Sequence, residues 1–411
     1  MGKLPPRPSR RDALSMGLGG FVGWALRHGS LDSLFAQESR ARGPARSCIV
    51  LWMDGGPSQI DTFDPKPGRA SGGEFGAQKT AVPGMDISDR LPRLAGLAGS
   101  FSLIRSMHSA QIEHGPGSYL LRTGYEPEGA TRHPSLGSRI LRERAPEATV
   151  PGYVRIHAAS GGSVPSEEGA GPGLLGHAYQ PVEIDDPLIP RQGFPPLDAE
   201  TSRRLDLAQD LDRTFGLEHR SAPVLDRTAQ RSRIGSLKES GFLGALSLDG
   251  ETEETRRSYG AGLPGRDGAF GSGCLLARRL VERGTTFVEV SLGGWDTHVD
   301  NFKSLEPLLG TLDLGFSGLL GDLRCRGLLS STLVVWMGEF GRTPLINRQK
   351  GRDHYGQAFT VALAGGGIAG GRVVGKTDPE GFEIVQDPVT VPDLFATILR
   401  AMGSDPGRKE L

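Results

Sequence analysis

Five short apolar runs, each lying beside glycine and a charged or imidazole side chain, constrain this chain more than anything else in it. Residues 48–53 (CIVLWM) show no polar alternation and stop at Asp54-Gly55-Gly56-Pro57-Ser58; similar runs occupy 102–107, 286–292 (TFVEVSL), 332–337 (TLVVWM) and 360–364 (TVALA). A run without alternation is buried on both faces, as a central strand of a parallel sheet is. Between the runs lie stretches of helical period. Cys274, Leu275, Leu276, Leu280 and Val281 make one apolar face, and Leu305, Leu308, Leu309, Leu312, Leu319 and Leu323 another. A last helix opens at Thr390-Val391-Pro392-Asp393, a capping-box-like start, and runs to about Met402. Strands alternating with helices predict an α/β fold: a mostly parallel central sheet, helices on its faces and right-handed crossovers.

Gly 61 and Pro 29 among 411 residues mean much loop. Much of it falls in residues 161–266, where a Gly/Pro/Ser loop, proline-rich turns and charged helical sequence read as an insertion capping the sheet rather than joining it. The chain therefore divides into a signal and linker (1–46), one main domain (47–403) and a tail (404–411). Ser9-Arg10-Arg11-Asp12-Ala13-Leu14 stands ahead of a glycine-broken apolar run from Met16 to Leu26, which reads as a twin-arginine export signal. Phe35-Ala36-Gln37 is a weak cleavage candidate. The apolar run is about ten residues, against roughly 20 for a membrane span, so it is an address and not an anchor. Delivery of a folded protein to the periplasm or cell surface is the expectation.

Charge and cysteine content exclude other classes. Lys+Arg 47 against Asp+Glu 48 leaves a formal charge of -1, with no basic run to track a phosphate backbone, so no nucleic-acid partner is expected. Three scattered cysteines, Cys48, Cys274 and Cys325, form neither a disulfide framework nor a metal knuckle.

The chemistry gathers where the apolar runs stop, and open α/β sheets bind ligands beyond the carboxyl ends of their strands. Asp54 ends the first run; His114 follows the second in IEHGPGSYLLRTG; Asp296 and His298 follow the third in GGWDTH; Glu339 follows the fourth in MGEFGRTP; Asp353 and His354 precede the fifth in GRDHYG. One aspartate at a strand end is ordinarily a turn or capping residue, and one histidine a satisfied structural group. So many at strand ends form an oxygen and nitrogen ligand set suited to a divalent cation: Zn, Mn, Mg or Ca. Asp61, Asp64 and Lys66 in DTFDPKPG read as turn chemistry, and His108, His133, His157 and His177 as structural or lining residues.

The ordered motifs DGGPS, HGPGSYLLRTG, GGWDTH, VVWMGEFGRTP, GRDHYGQAF and LAGGGIAGG resemble those of an exported bacterial family of unknown function, number 1501 among such domains. Through it the chain resembles the alkaline phosphatase and sulfatase superfamily. The resemblance implies an alkaline phosphatase-like α/β sandwich with two metal positions around a nucleophile, and hydrolysis or transfer of phosphate or sulfate esters. Asp54, Asp296, His298 and His354 match metal-ligand positions, and Glu339 matches an aspartate of a second metal. Phe340 stands where that superfamily has a histidine ligand, and His114 where it has the nucleophile.

The expected mechanism follows. A metal on Asp54, Asp296, His298, Glu339, Asp353 and His354 would polarise an ester and activate water, with Arg342 offering a planar fork to the phosphate or sulfate. His114 would orient or deprotonate the attacking group, with Ser118 or Ser58 as a substitute hydroxyl. A small-molecule or polysaccharide ester is the expected substrate. Two rivals stand beside this: a non-catalytic exported binding or scaffold protein stabilised by its metal, and a metal hydrolase of another bond such as an amide.

Overall fold

A computed structural model of the protein describes residues 29–35, 43–144, 150–159, 167–188, 199–218 and 242–407; the twin-arginine segment lies outside them. Among the described residues the sheet has nine strands. In chain order they are β1 (Ser47–Asp54), β2 (Phe101–His108), β3 (Tyr153–Ala159), β4 (Val182–Ile184), β5 (Phe287–Gly293), β6 (Thr332–Met337), β7 (Phe359–Gly365), β8 (Val373–Val374) and β9 (Val389–Thr390). They run across the sheet as β8-β2-β7-β6-β1-β5-β3-β4, with β9 also paired to β2. Every pairing is parallel except those of β7, which is antiparallel to both β6 and β2.

The alternating pleat of β1 divides the core in two. Ile49, Leu51 and Met53 point into one cluster, shared with α3 (Phe242–Leu246), α4 (Glu253–Tyr259), α5 (Gly265–Glu282) and α6 (Asn301–Cys325). Cys48, Val50 and Trp52 point into the other, with α1 (His114–Thr123), α2 (Leu136–Glu143) and α7 (Val391–Ala401). The result is helix, sheet and helix in three layers, which is why β1 and β6 are buried along their whole length. The last helix starts as its sequence requires. Thr390 accepts from the Asp393 N–H while Asp393 reaches back to the Thr390 N–H, a reciprocal cap.

Three features differ from the sequence reading. Strand β3 was not foreseen, because YVRIHAA alternates apolar with charged side chains; Arg155 is nonetheless buried, paired with Glu289, Glu167 and Glu183. The region read as a cap outside the sheet supplies its edge strand β4 in parallel register with β3, Val154 opposite Val182. And residues 29–35, assigned to signal and linker, dock on the domain. Leu34 is fully buried, Phe35 bridges to Ile368, and Arg400 stacks over the Phe35 ring while pairing with Asp32. No described helix is long and apolar enough to cross a membrane.

Candidate functional site

The topology delivers the polar clusters to one edge. β1, β2, β5 and β6 run the same way, so Asp54, the loop leading to His114, the Gly-Gly-Trp-Asp turn and Glu339 all emerge together. β7 runs the other way, so its beginning lies at that same edge, which is why His354 precedes its strand while the other groups follow theirs. The short pairing of His354–Tyr355 with Gly341–Arg342 fixes the two loops against each other.

Close packing at the first turn requires glycine. Gly55 has φ +113, and a Cβ there would stand 2.5 Å from the backbone N of Asp296. The Trp295 N–H donates to the Asp54 carbonyl, and the Gly55 N–H donates to Glu339 Oε1 at 2.9 Å. The loops after β1, β5 and β6 are thus bolted together through backbone groups.

Asp296 is the hub. Its Oδ1 lies 3.1 Å from His298 Nε2, 3.2 Å from His354 Nε2 and 2.6 Å from Arg342 Nη2, and its Oδ2 lies 3.4 Å from His114 Nε2. Partial burial opposes its ionisation, but the donors of His114, His354 and Arg342 prevail and hold the carboxyl well below the usual carboxylate range. The two imidazole nitrogens are themselves only 3.0 Å apart. His354 Nδ1 lies 2.6 Å from the Ile112 carbonyl, which can only accept, so that nitrogen carries a proton and Nε2 is the one turned to the cluster. His298 Nδ1 lies 2.8 Å from Asp353 Oδ1 in the same manner. The hydrogen bond with His298 holds the Asp353 carboxyl below its ordinary range.

The arrangement fits a cation. Tetrahedral ligands bound at about 2.0–2.1 Å stand about 3.3 Å from one another, close to the edges of the Asp296, His298 and His354 triangle. His114, Asp296 and His354 form an overlapping trio whose ligand atoms lie within 4.8 Å of one another. Asp353 orients His298 through the remote ring nitrogen and leaves Nε2 for the centre, a role one step outward from the ligand role read from its sequence position.

Beneath this triangle Asp54 and Glu339 are both buried, and Asp54 Oδ2 and Glu339 Oε2 have no hydrogen-bond partner among the described residues. Burial, opposed by Arg122 and reinforced by Glu339, pushes the Asp54 carboxyl up to about 7. Asp54 Oδ1 accepts from Trp52 Nε1 at 2.6 Å. Arg122 stacks over the Trp52 ring and joins Asp54 to Glu289, which in turn holds Arg155. Of these residues Arg122, Glu289 and Arg155 do not figure in the sequence reading as site residues. The signal was Glu289, a carboxylate inside an otherwise apolar strand run.

His114 opens α1 between two carboxylates, Nδ1 at 2.8 Å from Glu339 Oε1 and Nε2 near Asp296. Its hydrogen bonds to Asp296 and then Glu339 push it up to about 9, so in this arrangement both nitrogens donate. With both nitrogens so engaged, no lone pair is left for the deprotonating role expected of it. Phe340 packs its ring against both His114 and His354, at 5.3 and 4.6 Å between centroids, and closes the position where a further ligand was expected.

Two expected roles are corrected by burial. Arg342 is wholly buried: Nε donates to the Gly56 carbonyl, Nη1 to the Arg352 carbonyl, and Nη2 to the Gly55 carbonyl and Asp296. Its fork ties loops together and is not open to a substrate anion. Ser118 and Ser58 are buried as well, and Ser58 Oγ accepts from the Asp61 N–H, so neither hydroxyl faces the opening. Asp61 exceeds the turn role assigned to it; fully buried, it pairs with Arg352 at 2.8 Å and accepts from Asn301, tying the first loop to the one that carries His354.

The chain is similar to the PsFucS1 sulfatase from Pseudoalteromonas sp., with 14% identity, TM-score 0.42, and coverage of 97% of this chain and 72% of that one. It is similar also to an alkaline phosphatase from the Antarctic bacterium TAB5, with 12% identity, TM-score 0.37, and coverage of 89% and 100%. A third likeness is to the lipoteichoic acid synthase LtaP from Listeria monocytogenes, with 10% identity, TM-score 0.39, and coverage of 93% and 78%. No curated protein matches the sequence. A family model matches residues 45–409, nearly all of the domain that builds the site, and the chain belongs to that family, described as protein of unknown function (DUF1501).

Proposed function

We propose that this chain is an exported, metal-dependent hydrolase acting on phosphate or sulfate esters. One observation carries the reading: two histidine Nε2 atoms and a carboxylate oxygen face one another within 3.2 Å at the carboxyl edge of the sheet. Three such atoms at these separations are spaced as the ligands of one divalent cation are. A divalent cation held there would polarise an ester oxygen and make bound water a better nucleophile. The chain's own groups do the rest. Asp353 and the Ile112 carbonyl fix the two imidazoles, Arg342 fixes Asp296 and both flanking loops, and His114 spans Glu339 and Asp296 so as to orient the attacking group. The choice of ester rests on the resemblance of the motifs and on the small, polar, half-open character of the cluster.

The test is elemental analysis of purified protein, followed by turnover of chromogenic phosphate and sulfate esters with and without chelator. One firmly held divalent ion and chelator-sensitive turnover are expected. A second reading has an observation of its own: Ser118 and Ser58 are buried and Phe340 covers a ligand position, which favours a binding or scaffold protein stabilised by metal. It predicts the same ion and no turnover. Export is tested separately by replacing Arg10 and Arg11 with Lys, which should strand the protein in the cytoplasm.

A further inference from the structure

We propose that Arg266 is the substrate-reading arginine of this site, binding a second anionic group that flanks the scissile ester; the proposal rests on the ester-hydrolase reading. Once Arg342 is accounted for internally, the site needs another cation facing the substrate. Arg122, Arg155 and Arg352 are buried and paired. Arg266 differs. It is half-buried in the first turn of α5, and no hydrogen bond or ion pair engages it among the described residues.

Its position is set by close contacts. The point where a Cβ on Gly294 would stand lies 3.6 Å from Arg266 Nη2 and 3.8 Å from its Cζ, so the guanidinium rests over the glycine that follows β5. Gly294, with φ +102, lets the chain turn there and leaves that face open. Asp296 is two residues further on, at most about 7 Å of chain. The fork therefore rests against the loop that carries Asp296, within reach of a group attached to an ester held at the cluster. Neighbouring groups hold its backbone still: Asp267 accepts from Thr311 of α6, and Gly268 packs so tightly on the Leu263 carbonyl that a side chain there would clash. A partly desolvated, unpaired guanidinium on a fixed backbone is a bidentate receptor for carboxylate, sulfate or phosphate.

Calorimetric titration of the metal-loaded protein tests this without requiring turnover. Inorganic pyrophosphate serves as the probe with two anionic centres and orthophosphate as the probe with one. Arg266→Ala should bind pyrophosphate about tenfold more weakly than wild type while orthophosphate changes less than twofold. Arg266→Lys, which keeps charge but not the fork, should fall between. Unchanged pyrophosphate binding in Arg266→Ala, or equal loss for both anions, overturns the proposal. Because the readout is binding, a protein that shows this pattern yet hydrolyses no ester keeps the arginine assignment and loses the hydrolase reading.

Discussion

Two charged clusters in this molecule look alike in sequence and differ in what their atoms lack. Near the C-terminal end of α5, Arg278 pairs with Glu251, Asp322 and Glu282, while Arg279 pairs with Glu251 and Arg326 with Asp322. Each acid there faces an arginine, and the arginines win over burial to hold Glu251 below its ordinary range. At the sheet edge the balance fails. Asp54 and Glu339 each keep a buried oxygen without a partner, and two imidazole nitrogens face each other. Every acid of the first cluster has a cation, and that cluster belongs to the architecture; in the second, two buried carboxylate oxygens have no donor among the described residues. Unsatisfied acceptors, more than the number of charges, separate a binding site from a structural network.

The comparison is most exposed to substitution at Asp296. Asp296→Asn should lower metal retention and ester turnover by about a hundredfold or more, since loss of even an outer partner of a metal ligand costs about 10–100-fold. Stability of the metal-free protein should fall far less, by the loss of the ion pair with Arg342 alone. If only the melting temperature falls, the edge cluster is structural after all. Removing Arg278 should do the reverse: Arg278→Met takes one of their cations from buried Glu251 and part-buried Asp322, with Arg279 and Arg326 still in place, and should cost about 1–3 kcal/mol in denaturant unfolding, with kcat unchanged. A loss of kcat at unchanged stability would erase the distinction.

The smallest effect concerns a pair belonging to neither cluster. The hydrogen bond between His157 Nε2 and Glu183, at 2.9 Å, raises the imidazole's affinity for its proton against the pull of burial. A group whose native pKa is raised stabilises fully below its unfolded value of about 6.5, and that contribution is lost as pH climbs through the native value. His157→Gln should therefore destabilise the protein more at pH 6 than at pH 9 in urea titrations. Equal effects at both would show that the pair acts through packing alone.

How far the sequence could be read follows from what each residue's neighbours decide. Runs such as CIVLWM needed no tertiary knowledge, because burial on both faces leaves its mark on every position, and Ser47–Asp54 and Thr332–Met337 are strands. β3 was missed because Arg155 and His157 look like a solvent face; only their partners on β4 and β5 make them buried or half-buried. The donors Asp296, His298 and His354 were legible as residue types at strand ends. The role of Arg342 was not, since a guanidinium spent on backbone carbonyls and one open to an anion have the same letter. Arg266 lies at the far end of a stretch read as a cap, and its nearness to Gly294 exists only after α5 is folded back on β5.

The stitching of the site has a consequence for the chain as a polymer. Gly55 meets Glu339 across 284 residues, and His114 meets the same carboxylate across 225. Closing loops of such length costs entropy that grows only slowly with their size, yet all of the closures must hold together before the donor atoms share a centre. Under the proposed function the cluster would act as a check on completed folding: a chain opened at any contributing segment would have no grip on a cation. A cation that binds only the closed form adds its binding energy to the whole domain rather than to one loop. Withdrawing it should loosen termini and centre together, so that protease cuts appear across the chain in concert instead of beginning at its most exposed turn.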